Sequence, residues 1–259
     1  DAFPPKGTVY VEEIEGKPLY AIIKRENDFM VEGHKAFAKN RHTMAIQNFE
    51  LALDYDSLNE EAWRNIGLSY LNNGEPSKAK KALETAIRIN PNSHIAQSYL
   101  AVYYQRQNNL QKATELYKAA IDNKINYTFP YIQLGNIYLQ SNMFTDALNY
   151  FEKAISLDGD SATLHFNIGN AFRKLSFIDN AIKSYQKAIS INPDYYEALN
   201  NLGYLLKSRG ENTIAIKSFK DAIIANPNYA DAYNNLGITY FDLGQFDVAK
   251  DCYDKALEL

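Results

Sequence analysis

The chain carries a single cysteine, Cys252, among 259 residues. That excludes an internal disulfide and any zinc site built on cysteine pairs. It leaves the compartment open, since a helical fold without disulfides holds in oxidising and reducing surroundings alike. Lys and Arg (27) fall short of Asp and Glu (31), for a net charge of −4. Nucleic-acid binding asks for a basic face, so that class is set aside, and with it an anchor to an anionic membrane. No apolar run approaches the roughly 18 residues of a membrane span, so no membrane insertion is expected. Dinucleotide, Walker A, G-x-S-x-G and H-E-x-x-H motifs are all missing. The four histidines, His34, His42, His94 and His165, share no metal-ligand spacing. The expectation is a chain without cofactor, metal or catalytic residue, and not an enzyme.

What the sequence does contain is a period. Ala45, Ala79, Ala113, Ala147, Ala181, Ala215 and Ala249 stand 34 residues apart. Seven residues after each comes another alanine: Ala52, Ala86, Ala120, Ala154, Ala188, Ala222 and Ala256. Chance does not place fourteen alanines so. Between each pair lies a large apolar residue: Phe49, Leu83, Tyr117, Phe151, Tyr185, Phe219 or Tyr253. Spacings of four and three put these on one helical stripe. An earlier stripe in each period, such as Trp63, Ile66, Gly67 and Tyr70, has the i, i+3, i+4, i+7 spacing of an amphipathic helix. Its glycine leaves room for a bulky neighbour. Between the stripes stand Asn40, Gly74, Asn108, Asn142, Ser176, Gly210 and Gly244. Six of the seven are residues that tolerate the left-handed conformation ending a helix. Asn-Pro pairs at 90–91, 192–193 and 226–227 stop the second helix.

Residues 60–93, with Trp63, Ile66, Gly67, Tyr70, Ala79, Leu83, Ala86 and Pro91, resemble the tetratricopeptide repeat pattern. In one register the repeats run 26–59, 60–93, 94–127, 128–161, 162–195, 196–229 and 230–259. The resemblance implies an all-α, right-handed superhelical solenoid of antiparallel helix pairs. Residues 1–25 do not fit. Thr8–Ile14 and Leu19–Lys24 are β-leaning runs around Glu15-Gly16-Lys17-Pro18, which predicts a hairpin or extended arm. Such an arm is either a leader or cap over the first helix, or a partner-binding element. At the other end no polar capping helix follows, so Phe246, Ala249, Tyr253, Ala256 and Leu257 are expected to face solvent. Either the natural chain continues or the open ends self-associate.

The resemblance also implies where a partner sits, because first helices line the concave face in this family. The carried-over positions are Ile95, Tyr99, Val102 and Arg106, then Phe129 and Asn136 with Ile132 at the margin. Next come Asn167, Asn170 and Lys174, flanked by Phe166 and Arg173, and finally Asn201, Tyr204 and Asn235. Ile95, Tyr99, Val102 and Phe129 form an apolar patch for peptide anchors, unless adjacent first helices cover it. The asparagines resemble the ladder of O-linked N-acetylglucosamine transferases, where amides meet a peptide backbone; Asn is also common at these positions in the family. Phe166, Asp231 and Asn235 stand where a carboxylate clamp needs cations. The function implied is a scaffold or adaptor for a protein or peptide segment. Alternatives are the substrate-recruiting region of a larger enzyme, such as a glycosyltransferase, or an assembly factor for an envelope or secretion complex.

Overall fold

Seven residues with left-handed backbone set the architecture: Asn40, Asn108, Asn142 and Ser176 at φ 56–62°, and Gly74, Gly210 and Gly244 at φ 73–80°. Each ends a helix. The following residue's N–H donates to the carbonyl five positions back, as Arg41 does to Ala36, Glu75 to Tyr70 and Gln245 to Tyr240, each at 2.9 Å. That bond satisfies a carbonyl the helix itself leaves unpaired. The chain then starts its next helix antiparallel to the last.

The structure, a computed structural model, describes residues 13–14, 17–157 and 159–259. Its helices fall in seven pairs: α1 (Leu19–Ala38) with α2 (His42–Leu53), α3 (Glu60–Asn72) with α4 (Pro76–Ile89), and α5 (His94–Arg106) with α6 (Leu110–Asn123). Next are α7 (Thr128–Gln140) with α8 (Phe144–Ser156), and α9 (Ala162–Lys174) with α10 (Ile178–Ile191). Last come α11 (Tyr196–Ser208) with α12 (Asn212–Ala225), and α13 (Ala230–Asp242) with α14 (Phe246–Glu258). Side chains of Asn59, Ser93, Asn109 and Ser161 cap α3, α5, α6 and α9 by accepting an N–H of the first turn. Pro76 sits in the first turn of α4, where its missing N–H has no bond to lose.

The chain divides into two compact halves, residues 1–130 and 131–259. In the N-terminal half, Ala45, Phe49 and Ala52, Ala79, Leu83 and Ala86, and Ala113, Tyr117 and Ala120 are wholly buried. The C-terminal half repeats this with Ala147, Phe151 and Ala154, Ala181, Tyr185 and Ala188, and Ala215, Phe219 and Ala222. The first-helix glycines are there for close approach. A Cβ on Gly67 would fall within 3.0 Å of Leu83, and one on Gly203 within 3.0 Å of Phe219. Six of the seven repeats thus drive the large side chain of the second helix into a glycine notch of the first, and the third has Ala101 at that position. Dense packing of this kind is what makes core volume matter.

At the N-terminus, β1 (Glu13–Ile14) and β2 (Lys17–Pro18) pair antiparallel, Glu13 opposite Pro18 and Ile14 opposite Lys17. The expected second β-run, Leu19–Lys24, is instead the start of α1. A helix already nucleated downstream extends at little cost, which outweighs local β preference. Thr8–Glu12 lie outside the described residues. At the far end the expectation also needs correcting. Phe246 and Leu257 are exposed, but Ala249 is buried, and Tyr253 and Ala256 are partly covered. Tyr253 fills the notch at Gly237 on its own partner helix α13.

Candidate functional site

In the N-terminal half, the first-helix positions predicted to meet a partner are occupied by neighbours from the fold itself. Tyr99 and Val102 pack against the core of Leu71, Ala79, Leu83 and Leu100. Phe129 lies between two rings, 6.2 Å from Tyr117 and 6.1 Å from Tyr127. Ile95, Tyr99, Val102 and Phe129 are all partly covered and none is fully buried. For Tyr99 and Val102 the covering neighbours include Leu71 of the preceding first helix, α3, which contacts α5. Burial holds the Tyr99 hydroxyl above its ordinary pKa and pushes Tyr127 up to about 12, with Tyr99 adding to the shift. Both phenols are neutral groups at ordinary pH.

Arg106 also has work inside the fold. Its Nη1 donates to the Leu71 carbonyl at 2.7 Å and its Nη2 to Asn72 Oδ1 at 3.2 Å. A guanidinium at the C-terminal end of α3 meets unpaired carbonyls and the negative end of the helix dipole. It ties one repeat to the next and is only in part available to a partner.

The C-terminal half differs because its first helices carry amides. Asn167 Nδ2 donates to Asn136 Oδ1 at 2.8 Å, joining α9 to α7. Asn201 Nδ2 donates to Asn170 Oδ1 at 3.2 Å, joining α11 to α9. That oxygen also accepts from the Tyr185 hydroxyl at 2.7 Å. In the next step the acceptor position holds Tyr204, and Asn235 Nδ2 turns to Asn200 Oδ1 at 2.9 Å. Each bond uses one of an amide's several donor and acceptor sites. The pairs fix the side chains; Asn200 is buried, while Asn136, Asn167, Asn170, Asn201 and Asn235 are partly exposed.

Three of these amides, Asn200, Asn201 and Asn235, border a cleft of about 250 Å³ across α9, α11 and α13. Arg173 lines it from α9; Asn200, Asn201 and Tyr204 from α11; Asp231, Asn234 and Asn235 from α13. The structure thus brings together Arg173, Asn201, Tyr204 and Asn235 from the predicted set. It adds Asn200 and Asn234 from the same first helices, and Asp231, which stands where a carboxylate clamp would need a cation. Tyr204 is half exposed at 51%. Of the others, Phe166 packs 4.9 Å from Tyr195 and 5.9 Å from Tyr185, Ile132 is half-buried and Lys174 is exposed. The cleft has no adjacent nucleophile and base. Cys252 lies apart, partly covered on α14, its thiol pushed up by burial and then by Asp251. Among the described residues no cluster of three His, Cys, Asp or Glu could hold a metal, and no helix is long and apolar enough to cross a membrane.

Known families and structures agree with this architecture. A model described as TPR repeat matches residues 135–176, 169–208 and 203–244. Two described as tetratricopeptide repeat match 230–259 and 65–127. Anaphase-promoting complex subunit 3 of Schizosaccharomyces pombe is 25% identical over 95 residues, 37% of this chain and 14% of that protein. Uncharacterized protein ycf37 of Pyropia yezoensis is 33% identical over 98 residues, 34% of this chain and 55% of that one. The chain thus spans a minor part of the first and about half of the second. The crystal structure of YrrB, a TPR protein with an unusual peptide-binding site, is 27% identical at a TM-score of 0.60, covering 69% of this chain and 92% of that one. MamA is 28% identical at 0.58, covering 61% and 93%. The hetero-tetramer Cut9–Hcn1 of the APC/C superposes at 0.69 with 19% identity, covering 85% and 45%, and shares the fold.

Proposed function

Because the chain belongs to the tetratricopeptide repeat family, we propose that it is a protein-interaction scaffold that holds a peptide segment along its first helices. The observation that carries this reading is the cleft across α9, α11 and α13. Its amides are fixed by one another and keep donors and acceptors free for a peptide backbone. Preorganised polar groups of that kind lower the ordering cost of binding. The likeness to YrrB supports it, since that protein has a peptide-binding site on the same fold. The repeat fold is one typical of scaffolds that carry out no chemistry.

The test is selection of a displayed random peptide library on the whole chain, followed by titration of enriched peptides into isotope-labelled protein. Backbone amide shifts should concentrate in α9, α11 and α13. Asn201→Leu should weaken binding by roughly tenfold, the cost of about one hydrogen bond to a main-chain group. Shifts confined to α10 and α12, or no enrichment at all, would overturn the proposal.

A further inference from the structure

Two charges of opposite sign line the cleft, and their neighbours in the fold are the uncharged phenols Tyr185, beside Arg173, and Tyr229, beside Asp231. Arg173 and Asp231 take part in none of the ion pairs formed among the described residues of the C-terminal half. Every other lining residue is an asparagine or a tyrosine. The Arg173 Nε is shut away from solvent without a hydrogen-bond partner; burial raises the pKa of the Tyr185 phenol, and the nearby Arg173 guanidinium offsets part of that rise. Asp231 stands exposed on the first turn of α13.

The helices separate the two charges. Asn201–Asn170 ties α11 to α9 and Asn235–Asn200 ties it to α13. So α11 lies between the guanidinium and the carboxylate. Neighbouring helix axes stand about 8–10 Å apart, so the helices that carry the two charges are roughly two such steps apart across the cleft. Part of that span is taken up by the reach of the arginine side chain. An extended chain advances about 3.3 Å per residue, which sets about three to five residues between the groups that would meet them.

Charge complementarity then narrows the occupant. An anionic ligand gains at Arg173 and loses at Asp231, and a cationic one does the reverse. An uncharged segment leaves a partly desolvated guanidinium without a counter-charge. Only a segment carrying both signs satisfies both ends, with its main chain over the amides of α11. We infer that the cleft selects a mixed-charge segment, one acidic and one basic side chain about three to five residues apart with polar residues between. This rests on the peptide-holding reading of the same cleft.

The probes are fluorescein-labelled, terminally blocked decapeptides of Ser, Gly and Asn with one Glu and one Lys four residues apart, in both orders. Glu-only, Lys-only and uncharged versions are the controls, and anisotropy with the whole chain is the readout. One order should bind at least about tenfold more tightly than every control, and added salt should reduce that advantage. Asp231 is exposed, so Asp231→Asn keeps the fold and should remove the preference for Lys over an uncharged residue. Arg173→Glu combined with Asp231→Lys should favour the opposite order. If the Glu-only peptide matches the mixed one, the cleft is an anion site and the inference fails. If all five peptides bind alike, charge selection is refuted while peptide holding stands. If none binds and none shifts an amide of α9, α11 or α13, both fall.

Discussion

Among the described residues, Ser176 is the one at a left-handed turn that is neither glycine nor asparagine, and its φ of 62° is close to theirs. A side chain there crowds the following carbonyl, at about 1–2 kcal/mol for an ordinary residue. Ser176→Gly should relieve most of that, less the extra freedom glycine gives the unfolded chain. The net expectation is a gain of about 1 kcal/mol in urea denaturation; an unchanged or lower midpoint would show that the turn is relaxed. Turn positions of this kind were legible in the sequence because the constraint acts on one residue at a time. Arg106 was not. Its role depends on the Leu71 carbonyl 35 residues away, which no spacing rule brings beside it. The asparagine pairs lie between these cases: the residues recur by period, but whether Asn235 bonds to one neighbour or another turns on Tyr204 replacing the usual acceptor.

Between α8 and α9, one short connection is held by charge. The Asp160 carboxylate meets His165 Nε2 at 2.5 Å, from α9, and Lys187 Nζ at 3.4 Å, from α10. The bond to His165 first, and the nearby Lys187 after it, hold Asp160 below the usual carboxylate range. A carboxylate with a depressed folded pKa stabilises the protein above its ordinary value of about 4, and that contribution is lost as pH falls through the folded value. The melting temperature of the wild type should therefore drop more steeply below about pH 4 than that of Asp160→Asn. Identical profiles would show that the connection is held without this group. Its side chain is half exposed, so the difference is small. His165 occupies the repeat position that Trp63 and Tyr131 hold in theirs, and its side chain is 13% exposed. Asp160 stayed unread because it sits in a connection where the repeat has no pattern. The helices themselves were legible to within a few residues for the opposite reason, since each is specified by a stripe, a stop and a turn that agree.

At the scale of the molecule, a fold made of one repeated pair should tolerate removal of a whole period and nothing less. Contacts in such arrays join nearest neighbours, and the longest side-chain hydrogen bonds here span 35 residues. Deleting residues 196–229 joins Tyr195 to Ala230, in the place that Tyr229 now holds. Asn235 then arrives opposite Asn170, the relation that Asn201 has now at 3.2 Å. Gly237 keeps Tyr253 in its notch, since both travel together. The shortened protein should unfold in one cooperative transition, with helical signal and denaturant m-value each lower by about one seventh. Removing only residues 212–228 takes away α12 and leaves Gly203 without Phe219, opening the core of that repeat. Circular dichroism melts compare the two directly. A cooperative transition for the first and a broad, low one for the second is the expected result. Equal damage from both would mean that residues 196–229 hold something a neighbouring repeat cannot replace, and the cleft across α9, α11 and α13 is where that would have to be sought.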